Sequence, residues 1–243
     1  NGNFGILGAA TSSFNTEKLS VYGNIKVVNR DGGTNVGLNN LATSTGASAV
    51  GQGNTASNVN ANAFGANNKS LGASDSTLGH SNTASGTYSL AAGYGNISAD
   101  VGANAIGREN TAGGNDSQAF GSHNTATDDR SMAYGVDNNV AGQKSTALGL
   151  GNIINAGSNE SAALGLYNTI AGSQSFVLGY LSTSTADNTI TLGNNLNNNE
   201  KDSVMIGTSD ATKLFIGSDG FVSIGDGTVV QTVPTPVSGT LVT

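Results

Sequence analysis

The chain has 243 residues, of which 36 are glycine and none is cysteine, and its formal net charge is −7. An acidic balance without clustered Lys and Arg argues against a nucleic-acid partner. Aromatic residues make up only 5% of the sequence, and much of the apolar content is alanine, so the chain cannot bury a conventional large core. It also lacks the run of about 18 apolar residues that a membrane-spanning helix requires.

Residues 1–33 are predicted to form a β lead-in segment. Apolar residues alternate on both sides of the turn-like sequence Tyr22-Gly23-Asn24, which indicates a short strand pair. The stretch Glu17–Val27, EKLSVYGNIKV, resembles a lead-in segment of phage tail-fibre proteins that carry fourteen-residue repeats. Because the sequence starts at Asn1 without a signal-peptide pattern, we expect it to be a piece of a longer protein.

Residues 34–210 follow a fourteen-residue repeat in which one glycine, here called the marker glycine, recurs in every unit. A two-residue insertion near 155–160 interrupts the spacing once, and the same count then resumes. The thirteen marker glycines are Gly37, Gly51, Gly65, Gly79, Gly93, Gly107, Gly121, Gly135, Gly149, Gly165, Gly179, Gly193 and Gly207. A fixed period of this kind is typical of solenoids, in which each repeat supplies one supersecondary unit.

Three other positions of the repeat are similarly regular. Two residues before the marker glycine lies the alanine column, which holds a small residue in most units. The residue directly before the marker is apolar and mostly large; this bulky column includes Val50, Phe64, Leu78, Ile106, Phe120, Leu148, Leu164, Leu178, Leu192 and Ile206. Three residues after the marker lies the asparagine column, which comprises Asn40, Asn54, Asn68, Asn82, Asn96, Asn110, Asn124, Asn138, Asn152 and Asn168.

Two polar corners and two short apolar stretches in each unit predict a flattened coil of two strands and two tight turns. We expect the marker glycine to supply the positive φ that a turn requires. Such coils stack into parallel sheets with about 4.8 Å between strands, so the units would form an all-β solenoid rod about 60 Å long. The asparagine column would then be a structural ladder of side-chain amides along one edge. An α-helical coiled coil is disfavoured, since a glycine in every second heptad costs about 1 kcal/mol.

The alternation of side chains along a strand predicts how this rod assembles. Adjacent side chains point to opposite faces, so the alanine and bulky columns cannot both face the inside of the coil. A thin coil has room for alanine, which places the bulky column on the outside. A continuous apolar stripe of this length exceeds what soluble monomers expose. We therefore predict a homotrimer in which the bulky column lines a shared axis.

Residues 211–243 depart from the repeat and are predicted to form a β-rich cap or connector. Ser218-Asp219-Gly220 is expected to be a hairpin turn, and Pro234 and Pro236 interrupt the β-prone sequence that follows. This part contains neither a heptad stalk nor a membrane anchor, which we take to favour a viral fibre.

The unit S-x-A-x-G-x-x-N-x-A-x-G, as in Ser117–Gly121 followed by Asn124 and Ala126, resembles the head repeats of trimeric autotransporter adhesins over roughly residues 33–207. The resemblance implies a left-handed parallel β-roll, a trimer and an extracellular location. The preferred hypothesis is a non-catalytic fibre segment of a phage tail that attaches to a host surface. The head of a bacterial autotransporter adhesin is the alternative, and a structural spacer or an ice-binding solenoid is a further one.

The sequence predicts no catalytic, cofactor or metal site. It has no P-loop, no G-x-S-x-G and no H-E-x-x-H, and His80 and His123 are interpreted as solvated turn residues. A host glycan or protein receptor would be contacted through variable turn residues. The candidates for such contacts are Tyr94, Arg108, Glu109, Asp128, Asp129 and Arg130.

Overall fold

The computed structural model describes residues 33–209, 214–225 and 228–232. Within these ranges the chain is all β-strand and turn, without a helix, so no helix there could cross a membrane. The predicted strand pair around Tyr22-Gly23-Asn24, and the segment after residue 232, lie outside the described residues. The predicted fold class, a parallel β-solenoid with fourteen residues per coil, is confirmed.

Each coil contains one strand of five residues and one strand of two residues. The five-residue strands are β1 (Thr34–Leu38), β3 (Ser48–Gln52), β5 (Asn62–Ala66), β7 (Ser76–His80), β9 (Leu90–Tyr94), β11 (Asn104–Arg108), β13 (Gln118–Ser122), β15 (Met132–Val136), β17 (Thr146–Leu150), β19 (Ala162–Leu166), β21 (Phe176–Tyr180), β23 (Ile190–Asn194) and β25 (Val204–Thr208). The two-residue strands are β2 (Leu41–Ala42), β4 (Thr55–Ala56), β6 (Lys69–Ser70), β8 (Thr83–Ala84), β10 (Ile97–Ser98), β12 (Thr111–Ala112), β14 (Thr125–Ala126), β16 (Asn139–Val140), β18 (Ile153–Ile154), β20 (Thr169–Ile170), β22 (Thr183–Ser184) and β24 (Asn197–Asn198).

The five-residue strands β1 to β25 pair in parallel with the marker glycines side by side; Gly107, for example, pairs with Gly93 and Gly121. The two-residue strands form a second parallel sheet of twelve strands. The insertion near 155–160 is accommodated in the turn between β18 and β19, because Gly149 still pairs with Gly165. At about 4.8 Å per strand, the thirteen five-residue strands extend over about 60 Å.

The core is the narrow space between the two sheets. The alanine column faces it from the five-residue strands, and the second residue of each two-residue strand faces it from the other side. Ala105 and Ala112, for example, are both fully buried in one coil. Three later coils carry Val140, Ile154 and Ile170 on the second side, and these too are fully buried. The coil therefore takes a β-branched aliphatic side chain on one side when its opposite partner is small.

The marker glycine has positive φ in most coils, as predicted, but it lies in a strand, so the prediction that it is a turn residue was wrong. It is the fourth residue of its five-residue strand, with φ near +120° at Gly107 and Gly121. A Cβ on Gly107 would lie 2.1 Å from the backbone oxygen of Gly121, which leaves no room for any side chain. The turns instead take their positive φ mostly from other residue types, such as Glu109 and Arg130, both at +55°. Glycine is therefore required by the approach of successive coils.

The last three strands leave the solenoid pattern. β26 (Leu214–Ile216), β27 (Phe221–Ile224) and β28 (Thr228–Thr232) extend the sheet of five-residue strands beyond β25 as antiparallel strands. The hairpin turn expected at Ser218-Asp219-Gly220 joins β26 to β27, and Gly220 has a φ of +80°. The Ser218 amide donates to the Glu200 carboxylate over 3.1 Å, which ties this turn to the last coil.

Candidate functional site

The candidate functional surface is the outer face of the sheet of five-residue strands. The bulky column lies on this face, as predicted, while the alanine column beside it is buried. Leu78 is 58% exposed and Leu148 is 49% exposed, although both are aliphatic. Every other predicted interface residue is also at least partly accessible; these are Val50, Phe64, Ile106, Phe120, Leu164, Leu178, Leu192 and Ile206. The single chain thus presents a largely apolar stripe along the rod.

The asparagine ladder holds each coil that carries this stripe to the next. The Asn110 side chain donates to the Ile106 carbonyl of its own coil over 3.0 Å and to the Gly121 carbonyl of the next coil over 2.8 Å. Its side-chain oxygen accepts the Asn124 backbone N–H over 3.0 Å and also lies 3.0 Å from the side-chain nitrogen of Asn124, Nδ2. The side chain thus satisfies backbone groups of two successive coils.

The same pattern continues through the other predicted ladder positions. The side-chain oxygen of each asparagine accepts from the next one along, and all of these side chains except Asn40 are almost fully buried. The predicted ladder residues in this arrangement are Asn54, Asn68, Asn82, Asn96, Asn110, Asn124, Asn138, Asn152 and Asn168. Ser182 takes the next position; its hydroxyl donates to the Gly193 carbonyl over 3.1 Å and accepts the Leu196 N–H over 3.3 Å.

The candidate receptor contacts divide between the two turn edges of the rod. Tyr94, Arg108 and Glu109 lie at the edge between a five-residue strand and the following two-residue strand, and all three are exposed. The Tyr94 ring stacks on His80 with centroids 5.3 Å apart, and the Arg108 guanidinium lies 3.7 Å from the Glu109 carboxylate. These side chains therefore form a polar and aromatic patch on consecutive coils.

The other three candidates lie at the opposite edge, in the turn between β14 and β15. Asp129 accepts from the Asn115 backbone and side chain over 3.2 and 3.1 Å, and Asp128 accepts the Asp129 N–H over 2.8 Å. Arg130 is exposed. Because the two edges are on opposite sides of each coil, one chain does not bring the six candidates into a single site.

His123 lies in a side-chain ladder that the sequence analysis missed. Its Nε2 is 2.5 Å from Glu109 Oε2, and its Nδ1 is 3.0 Å from the Ser122 hydroxyl and 3.6 Å from Asp137 Oδ1. Glu109, His123 and Asp137 occupy the same position in three successive coils, so comparing that position between units would have found them. His123 remains exposed, as predicted, but it bridges neighbouring coils.

Asp75 is a buried carboxylate that the sequence analysis also missed. Its side chain is fully buried, four residues before a marker glycine, where most other units have Ser or Ala. The Ser70 hydroxyl donates to it over 2.5 Å and the Gly72 backbone N–H over 2.6 Å. Burial raises the pKa of Asp75 above its ordinary value, and these two hydrogen bonds oppose the increase.

The described residues contain no cluster of three or more His, Asp or Glu side chains able to hold a metal ion. Their titratable side chains lie mainly along the turn edges, in ladders such as the Lys144–Glu160 ion pair at 3.0 Å. That lysine and a hydrogen bond from Gln174 lower the pKa of the Glu160 carboxyl. Because these arrangements join coils to one another, we interpret them as structural.

Comparisons with known proteins agree with this interpretation. Residues 78–96 and 112–138 match the family model of the YadA head domain repeat, in two copies. A search of curated proteins found no match. The matched repeats and the fourteen-residue coil fit the head repeats of trimeric autotransporter adhesins, which confirms the resemblance seen in the sequence. They favour the autotransporter alternative over the phage tail fibre, and they point to a structural protein of adhesin type. Adhesin heads of that family are extracellular surface elements.

Proposed function

We propose that the chain is part of the head of a trimeric bacterial surface adhesin, with residues 34–210 as its rod. Residues 1–33 would be its lead-in segment and residues 211–243 its connector. The observation that carries the proposal is the exposed bulky column on coils that match the YadA head domain repeat. Heads of that family are homotrimers, and a trimer covers an apolar face that a single rod leaves in water.

In this assembly the sheet of five-residue strands faces the common axis, and the sheet of two-residue strands faces outward. Residues of the bulky column at one level of the rod then meet their own copies. The two turn edges stay accessible along the rim, where Tyr94 and Arg108 at one edge and Arg130 at the other would contact a surface glycan or a protein receptor. We thus assign receptor attachment to the turn residues, whose side chains vary between coils. We assign stability to the repeated columns, whose side chains keep the same character from coil to coil.

The test of the assembly is the mass of the chain in solution, measured by sedimentation velocity. We expect a trimer, and a stable folded monomer would contradict the proposal. Leu148→Asp places a charge in the bulky column and should give unfolded or insoluble chains, because folding and assembly are linked. Asn139→Asp, at an exposed position on a two-residue strand, is the matched control and should remain trimeric.

The test of attachment compares charge reversal at the two edges. Arg108→Glu and Arg130→Glu should each leave the trimer intact, and loss of binding to host cells or matrix would show which edge makes contact. If the doubly substituted trimer attaches as well as the wild type, the assignment of receptor contacts to these corners is wrong and the segment acts as a spacer.

A further inference from the structure

A rod of similar repeats does not by itself determine how the three chains of a trimer are positioned relative to one another along the axis. If one copy in the trimer slides by one coil, about 4.8 Å, nearly all apolar side chains of the bulky column still meet apolar side chains. Regular spacing alone therefore does not select the aligned trimer. We propose that Tyr134 and Gln118 set the alignment of the three chains by forming a closed polar layer at the one level where the bulky column carries a hydroxyl, an inference that rests on the proposed trimer.

Tyr134 is the only member of the thirteen-residue bulky column that carries a polar atom. Its hydroxyl donates to Gln118 Oε1 over 2.5 Å, and its ring lies 5.2 Å from that of Phe120, centroid to centroid. Gln118 and Tyr134 lie on the same outer face of adjacent strands, β13 and β15, so the pair is presented towards the partner chains. Partial burial already raises the pKa of the Tyr134 hydroxyl in the single chain.

The hydrogen-bonding capacity of this pair is incomplete in one chain. The Gln118 amide nitrogen donates no hydrogen bond to any described residue, and the Tyr134 oxygen can still accept one. In an aligned trimer the three pairs lie at one level. Each Gln118 amide can then donate to the Tyr134 oxygen of a neighbouring copy, which closes a ring of hydrogen bonds around the axis.

A slip of one coil breaks this ring. Tyr134 of the displaced chain then lies level with Phe120 or Leu148 of its neighbours, and neither side chain offers a donor or an acceptor. Its Gln118 lies level with Asn104 or Met132. The Tyr134 oxygen then accepts no hydrogen bond across the interface, and a buried polar group left short of partners destabilises an interface much more than a matched polar layer does. Polar layers of this kind are known to select one alignment of packed chains at some expense of stability.

A second irregularity of the repeat, in β9, also favours the aligned trimer. In β9 the bulky column holds Ala92, and the large side chain is Leu90, two residues earlier on the same face. Aligned copies bring three Ala92 side chains to one level with Leu90 beside them. A copy displaced by one coil would set Leu78 or Ile106 against Ala92, so side-chain volumes would no longer match.

The test uses the absence of cysteine from the chain. Leu178→Cys and Leu192→Cys, one coil apart in the bulky column, are placed on separately tagged chains, co-expressed, and equilibrated in a glutathione redox buffer. Aligned trimers form disulfides between equal positions, whereas a slip of one coil joins position 178 of one tagged chain to position 192 of the other. The measured quantity is the ratio of unequal to equal disulfides.

We expect this ratio to be low in the otherwise wild-type chain. The double substitution Gln118→Leu and Tyr134→Leu should raise the ratio of unequal to equal disulfides by about tenfold or more, because a displaced chain then no longer loses hydrogen bonds across the interface. The trimer mass should not change, and the melting temperature should stay equal or rise. Phe120→Leu, in the same column but without a polar atom, is the control and should leave the ratio unchanged. A trimer whose ratio does not respond to the double substitution would overturn the inference, whereas a monomeric wild type would instead overturn the proposed function.

Discussion

Asparagine 110 offers a quantitative test of how the rod is held together. Asn110→Ala removes the donor to the Gly121 carbonyl and the acceptor of the Asn124 backbone N–H, in a region where the side chain is fully buried. Each buried backbone group left without a partner costs about 1–3 kcal/mol, so the two together cost about 2–6 kcal/mol. That is a large part of the roughly 5–15 kcal/mol that stabilises a typical domain.

The chain itself suggests a substitution with an intermediate effect on stability. Ser182 stands in the asparagine column and keeps one donor and one acceptor through its hydroxyl. Asn110→Ser should therefore keep both contacts counted above and lose only the donor to the Ile106 carbonyl, which Asn110→Ala also loses, so it should be much less destabilising than Asn110→Ala. Asn115→Ala, which removes an exposed turn asparagine, should change the free energy of unfolding by less than about 0.5 kcal/mol.

The assay is urea unfolding at fixed protein concentration, combined with hydrogen exchange of the Asn124 amide. We expect the order wild type, Asn110→Ser, Asn110→Ala in decreasing stability, with faster exchange in the coils next to the substitution because a repeat contacts only its neighbours. If Asn110→Ala is no more destabilising than Asn115→Ala, the ladder does not stabilise the rod and the reasoning fails.

Three further substitutions test other features. Gly107→Ala should prevent folding, because its Cβ would meet the Gly121 backbone oxygen at 2.1 Å, whereas Gly113→Ala, with its nearest neighbour at 3.6 Å, should fold and melt near the wild-type temperature. Asp75→Ser should make the free energy of unfolding less dependent on pH in denaturant titrations. The raised pKa of Asp75 gives the wild type a stability that is complete below the unfolded-state pKa and is lost as pH rises through the folded-state pKa, so an unchanged pH dependence would contradict its burial as an acid. Ile154→Ala introduces the residue that is commonest at this position of the repeat, yet it should lower stability by about 2–5 kcal/mol through the cavity it leaves, and a neutral result would mean that the coil can collapse around alanine.

Most of the fold could be predicted from the periodicity of the sequence. Because the spacing of the marker glycines is constant, the pairing of Gly107 with Gly121 follows from counting. The outward direction of Ile106 follows equally from the inward direction of Ala105, since neighbouring side chains on a strand alternate. These features are local or repeat at a fixed interval, which is why a single sequence reveals them.

Features that depend on the backbone path of one coil could not be read in this way. Gly107 was assigned to a turn because positive φ is common there, but the need for glycine arises from a contact with the next coil. Glu109 and Arg130 have the left-handed conformation without being typical residues for it. In the sequence Asp75 looks like an ordinary charged turn residue, and only the shape of the turn places its carboxylate inside the coil.

The antiparallel strands after β25 have a consequence for the behaviour of whole rods. A parallel β-solenoid whose last strand is open offers a template on which a second rod could add end to end, as in fibril growth. Here β26 already occupies the hydrogen-bonding side of β25, and its reversed direction interrupts the repeat on which such growth depends. In the other sheet the last strand among the described residues, β24, offers an edge of only two residues. The stack of parallel coils thus stops at β25, which disfavours end-to-end growth of rods at this end.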